Sequence, residues 1–230
     1  MLRAVSVPAP RALLAEGVRL AAAELSETTL AWFARWLSVG LGLSYAVLAA
    51  QGQLGETREP GATWIAAVTR TSVWLVAGAV ILASSQRRAL GDRTSGFEWV
   101  LRGAGASRRG VIVVQGLATF SLAARYTLVA VAAVGVVCVT LSPSLAVAGS
   151  RALVLISCVV FSIAMPAVFS LLAVAADLAS PSRGRSVLYL LGFLSVALAE
   201  LVSVKELSVF HWMSDLLPTL TRVLGVLEPR

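Results

Sequence analysis

The chain has 230 residues, 58% hydrophobic and 13% charged, and a mean hydropathy of +0.85. Soluble domains average about 45–50% apolar and about 25% charged residues, which excludes an ordinary soluble fold and predicts an all-α, polytopic integral membrane protein. A net charge of +7 would suit nucleic acid, but the basic residues lie in loops between apolar runs, where anionic membrane lipid is the partner they fit and nucleic acid is not.

Residues 1–27 are expected to form an N-terminal interfacial amphipathic helix. Leu14, Val18, Ala21 and Leu25 fall on one helical face, with Glu16 and Arg19 opposite. The segment lacks the uninterrupted apolar core of a signal peptide, so it is expected to be retained.

Residues 28–204 are read as the transmembrane domain. A first span covers about 28–50. Arg35 lies near its inner end, within snorkelling reach of the interface, and Trp32 and Trp36 suit an aromatic belt. A polar turn carrying only Arg58 leads to a second span at about 62–84, with Trp64 at its outer edge.

The loop 85–109 sets six arginines, Arg87, Arg88, Arg93, Arg102, Arg108 and Arg109, against only Asp92 and Glu98. Positive charge beside membrane spans marks the cytoplasmic side. Within it, Ser95-Gly96-Phe97-Glu98 fits the capping box S-x-x-E. The helix that follows puts Phe97 and Leu101 on one face with Val100 beside them, and Gly103 and Gly105 end it. A short coupling helix lying parallel to the membrane is predicted.

The apolar run at about 111–141 is too long for one perpendicular crossing, so its first turns project into the cytoplasm or tilt. Residues 142–150 form an uncharged outer turn. A fourth span covers about 151–176, kinked at Pro166. Residues 177–186 return inside with Arg183 and Arg185, and a fifth span covers about 187–204. Eleven of the 19 basic residues then lie inside, and the two closed outer loops carry only Arg58, so the N-terminus is expected in the cytoplasm. In 205–230, Asp215, Arg222, His211 and Pro218 interrupt an otherwise apolar stretch. A charge at mid-bilayer costs about 2.5–3.5 kcal/mol, so this segment is expected on the outer surface. That gives five spans, or six if it crosses.

Several chemistries are poorly supplied. Cys138 and Cys158 sit in apolar runs, and His211 is the only histidine, so no metal site is expected. Lys205 is the only lysine and lies in no phosphate-binding loop, so ATP is not expected on this chain. Hydrolysis by a Ser–His–Asp set would have to recruit His211. Charges in or near spans mark candidate functional sites; Arg125 and Glu200 are the candidates for a translocation path. Arg125 has a second reading, near the inner headgroups, because its helix begins in the cytoplasm. A pairing of Arg125 with Glu200 is disfavoured because the two are expected at different depths.

An amphipathic N-terminal helix, two spans, a basic loop and a long third span together resemble the permease subunits of type-2 ABC transporters, which are largely exporters. Their loop reads as an acid–basic run, then Gly-[Thr/Ser]-[Leu/Phe]-Glu with apolar residues, a small-residue bend, and Ser-Arg-Arg. Here Asp92-Arg93, Gly96-Phe97-Glu98-Trp99-Val100-Leu101, Gly103 to Ala106, and Ser107-Arg108-Arg109 match it, and Ser208-Val209-Phe210-His211-Trp212 is similar to the family's outer segment. The family usually adds a sixth span, and Trp99 is bulkier than the residue expected there. The resemblance implies half of an export path in the bacterial inner membrane and a second permease chain. It also implies separate ATPase subunits carrying ATP and magnesium, which contact Phe97, Glu98, Trp99, Leu101 and Arg102. Glu98 could instead serve only as a local cap. The rival reading is a non-transporting membrane scaffold or assembly factor whose basic loop docks a partner.

Overall fold

The computed structural model of the chain describes residues 10–54, 61–89 and 96–179. These are helical, with no strand among them: α1 (Pro10–Ser26), α2 (Thr29–Leu54), α3 (Gly61–Thr71), a π-helical segment (Ser72–Ala77), α4 (Gly78–Ala89), α5 (Gly96–Gly103), α6 (Arg108–Thr140) and α7 (Leu145–Ala179). Four stretches are long and apolar enough to cross a bilayer: Thr29–Gln51, Ala62–Ser84, Arg108–Thr140 and Leu145–Ala179. The chain is a multi-pass helical membrane protein. The expected fifth span and the 205–230 segment lie outside the described residues.

α6 is the axis. A hydrocarbon core about 30 Å thick is well short of its 33 residues, which rise about 50 Å at 1.5 Å each. α2 lies parallel to it: Ser38 donates its hydroxyl to the Tyr126 carbonyl, and a Cβ on Gly42 would stand 3.2 Å from the Ala130 Cα. α7 runs antiparallel: its Val174 and Leu155 side chains fill the space that a Cβ on Gly116 and on Gly135 would take. Lipid offers no hydrophobic incentive for helices to associate, so small residues that let backbones approach supply much of the packing. On α2 the buried positions are Ala31, Ala34, Ser38, Gly42 and Ala49, while Trp32, Phe33 and Trp36 face outward.

The second crossing solves a register problem. From Val68 to Ile81 its buried pairs are Val68 and Thr69, Ser72 and Val73, Val76 and Ala77, then Val80 and Ile81. They recur every four residues, a spacing that a 3.6-residue turn would rotate off the bundle. The wider turns of the π segment absorb that drift. Trp74, inside it, packs against Phe169 of α7 with ring centroids 6.2 Å apart.

Pro166 sits inside α7. It has no N–H, so the carbonyl four residues earlier, on Ser162, loses its helical donor. The Thr127 hydroxyl of α6 reaches it at 3.2 Å and stands 3.0 Å from its own helix's Ala123 and Ala124 carbonyls. Serine and threonine repair of proline breaks is how membrane helices keep such residues.

Two expectations are revised. The fourth membrane helix begins at Leu145, six residues before the expected 151, because Ser144 turns its hydroxyl toward the Val147 amide, 3.3 Å away, and opens the helix there. Arg151 is therefore buried one and a half turns inside the helix and not at its mouth. It donates to the Cys138 carbonyl at 2.8 Å and to the Ser142 hydroxyl at 3.2 Å, holding a cation against the negative end of α6. On α1, most of the expected stripe packs on protein. Gly17, Ala21 and Leu25 are buried against protein, while Leu14 is 47% exposed. That inner face packs on α6 and α5. Opposite, Arg19 bonds Glu16 at 2.9 and 2.6 Å and holds the Glu16 carboxyl below its ordinary value.

The Thr127 repair is testable by a double-mutant cycle. Thr127→Val should cost about 1–2 kcal/mol, because it orphans a buried carbonyl. In a Pro166→Ala background, where the helical donor returns, most of that cost should vanish. Equal losses of apparent Tm in both backgrounds would contradict the assignment.

Candidate partner-contact site

The short helix between the second and third crossings is held by its end as much as by its face. At its C-terminus the Gly105 amide donates to the Arg102 carbonyl and the Ala106 amide to the Leu101 carbonyl, both at 2.9 Å. This crossed pair is the Schellman arrangement, which requires a left-handed residue just past the helix. Gly105, at φ +85°, is that residue. Two residues on, Ser107 caps α6, its hydroxyl accepting from the Gly110 amide at 3.2 Å. The Gly103 to Ser107 stretch thus ends one helix with the Ala104, Gly105 and Ala106 amides engaged and starts the next with a side-chain cap on Gly110.

Leu101 and Trp99 face opposite ways. Leu101 is 6% exposed and packs in a cluster with Ala21, Val111, Val114 and Ala118, with Ala106 beside it. Gly17 of α1 makes the room, since a Cβ there would stand 3.0 Å from Leu101 Cδ2. Trp99 is 72% exposed and Val100 51%. Glu98 pairs with Arg102 at 2.6 Å, one turn on. The predicted contact set is therefore divided. Trp99, Val100 and the Glu98–Arg102 pair form an outward face, with Arg108 and Arg109 also exposed, and Leu101 is the bolt that fixes this face to α1 and α6. The side chain of Phe97 and the capping residue Ser95 lie outside the described residues.

Arg125 is on the exposed side of α6, apart from this site; Glu200 and His211 lie outside the described residues. No group of three or more His, Cys, Asp or Glu that could hold a metal occurs among the described residues. Cys138 and Cys158 are buried and free, both in one apolar cluster between α6 and α7. Sequence reading missed three residues. Ser107 was legible as a capping residue directly before the long apolar run. Gly17 and Arg151 act through contacts that only the folded chain makes.

Comparison of the chain with family profiles, with curated proteins and with solved structures finds no match.

The geometry predicts that Gly105→Ala costs about 1–2 kcal/mol through left-handed strain, and Ser107→Ala about 1 kcal/mol through the lost cap. Hydrogen exchange should show both as faster exchange confined to α5 and the first turn of α6. Protection of α5 unchanged in both variants would mean that it is held by something other than this connection.

Proposed function

We infer that the chain is the membrane-spanning permease subunit of an ATP-driven transporter of the type-2 ABC kind, working as an exporter in a bacterial inner membrane with the α1–α5 side in the cytoplasm. The observation that carries the reading is α5: a two-turn helix between two membrane helices, with Trp99 and Val100 bare on its outer face beside the Glu98–Arg102 pair, and fixed by Leu101 on its inner face. An exposed tryptophan beside Val100, with Arg102, Arg108 and Arg109 also exposed on α5 and the start of α6, suits an acid-bearing protein partner. The sequence motif around it is the one by which the chain resembles that family.

Force applied at Trp99 has a short path. Leu101 joins α5 to α1 and to the first turns of α6, and α6 continues into the bundle. ATP and magnesium belong to separate ATPase subunits that press on this face, and the chain itself is not an enzyme. A second permease chain completes the path. α2 buries only 22% of its membrane window, the least of the four, and leaves Trp32, Phe33, Trp36 and Leu43 outward as the side available to that chain.

Trp99→Asp tests the reading without disturbing the fold, because the side chain already faces water. A charge placed in a docking face costs several kcal/mol to desolvate. The tagged variant should enter the membrane and melt as the unaltered chain does, yet lose co-purifying ATPase activity at least tenfold. An unaltered chain that brings down no ATPase would instead favour a scaffold whose basic loop docks some other partner.

A further inference from the structure

We propose that α6 and α7 carry a phospholipid site, in which Arg125 and Ser121 bind the lipid phosphate and the apolar groove beside them holds an acyl chain. This requires only that α6 crosses a membrane, and it stands apart from the transporter reading. The groove has a volume of about 580 Å³, opens sideways from the bundle, and is lined by α6 from Phe120 to Ala132 and by Ile163 of α7. Everything along it is apolar except Arg125 and Ser121.

Depth follows from the helix register. Ser38 bonds Tyr126 and Gly42 meets Ala130, so Thr29, where the first candidate span begins, stands level with Leu117. Arg125 is then eight residues, about 12 Å, inside that boundary. A guanidinium so placed is expensive unless something compensates it. Among the described residues no acidic side chain pairs with it.

Direction supplies the compensation. Helical side chains lean toward the N-terminus, which for α6 is the α1–α5 side, so Arg125 leans back toward the near headgroups and can snorkel to them. Ser121, one turn in that direction and also exposed, adds a hydroxyl donor. Leu128, Val129 and Ala132 lie further from those headgroups than Arg125, at the midplane and just past it on the same scale, where the chain ends of a lipid held by its phosphate reach. Cation and hydroxyl toward the headgroups, apolar groove toward the midplane: this polarity matches a phospholipid of the leaflet on the α1–α5 side. Basic pockets between membrane helices commonly take anionic lipids.

Native mass spectrometry of the full chain in detergent micelles, titrated with phosphatidylglycerol or phosphatidylcholine, tests the site. The unaltered chain should retain one phosphatidylglycerol in preference to phosphatidylcholine. Arg125→Leu should weaken phosphatidylglycerol about tenfold, the effect of one charge-assisted contact, and Arg125→Lys should keep most of it. Ala132→Trp, at an exposed position, fills the groove without touching the charge and should weaken both lipids; it carries the test if Arg125→Leu does not fold. Phosphatidylglycerol binding unchanged in Arg125→Leu, or in Ala132→Trp, overturns the proposal. So do equal losses of melting temperature in Arg125→Leu and Glu200→Gln with lipid affinity intact, which would assign Arg125 to an ion pair within the chain.

Discussion

The close approach of α6 to its neighbours governs the rest of this molecule. Inside a bilayer, van der Waals contact and internal hydrogen bonds must hold helices together, because lipid is as apolar as the side chains. α6 meets that requirement on two sides, through Gly42 of α2 and through its own Gly116 and Gly135 against α7. At the middle of the stack two adjacent residues tie it to both neighbours: Tyr126 accepts from Ser38, and Thr127 repairs the carbonyl that Pro166 frees. Arg151 closes the far end by donating to the Cys138 carbonyl in the last turn of α6. Each of these contacts fixes height as well as distance, so the helices have a defined register.

That register explains what lies beyond the spans. α6 is about 20 Å longer than the hydrocarbon core requires, and its first turns form a post around which α1 and α5 pack. The cluster of Ala21, Leu101, Val111, Val114 and Ala118 joins α1 to the α5–α6 turn about eighty residues later. The Gly105 turn makes the join possible by letting α5 reverse into α6 in four residues. Trp99 is left bare because the neighbouring Leu101 takes the inward position. A helix only two turns long has little stability of its own, so its orientation is inherited from the post.

Much of this was legible in the sequence, and what was not has a common cause. Apolar run length gave the first three crossings, and the glycine positions gave the end of α5, because both are local properties of the chain. The four-residue buried spacing in the second crossing was present in the sequence, but a wider helix cannot be told from a drifting one without its neighbours. The start of α7 was misjudged because Arg151 reads as a boundary charge until the carbonyls that receive it are in place. For α1 the stripe was legible, but amphipathicity says only that a face is covered, and not how that face is shared between lipid and protein. The division of α5 into Leu101 inward and Trp99 outward depends on Gly17, which no local pattern connects to it.

The central claim is that the α1–α5 layer and the α6–α7 turn stand on opposite sides of a membrane, joined by one continuous helix. Single cysteines at Trp99 and at Ser144, both exposed, measure this directly in a chain whose Cys138 and Cys158 are replaced by alanine. With a membrane-impermeant maleimide, the cysteine at 144 should label in intact cells and the one at 99 only in inside-out vesicles. Labelling of both from the same side would contradict the account.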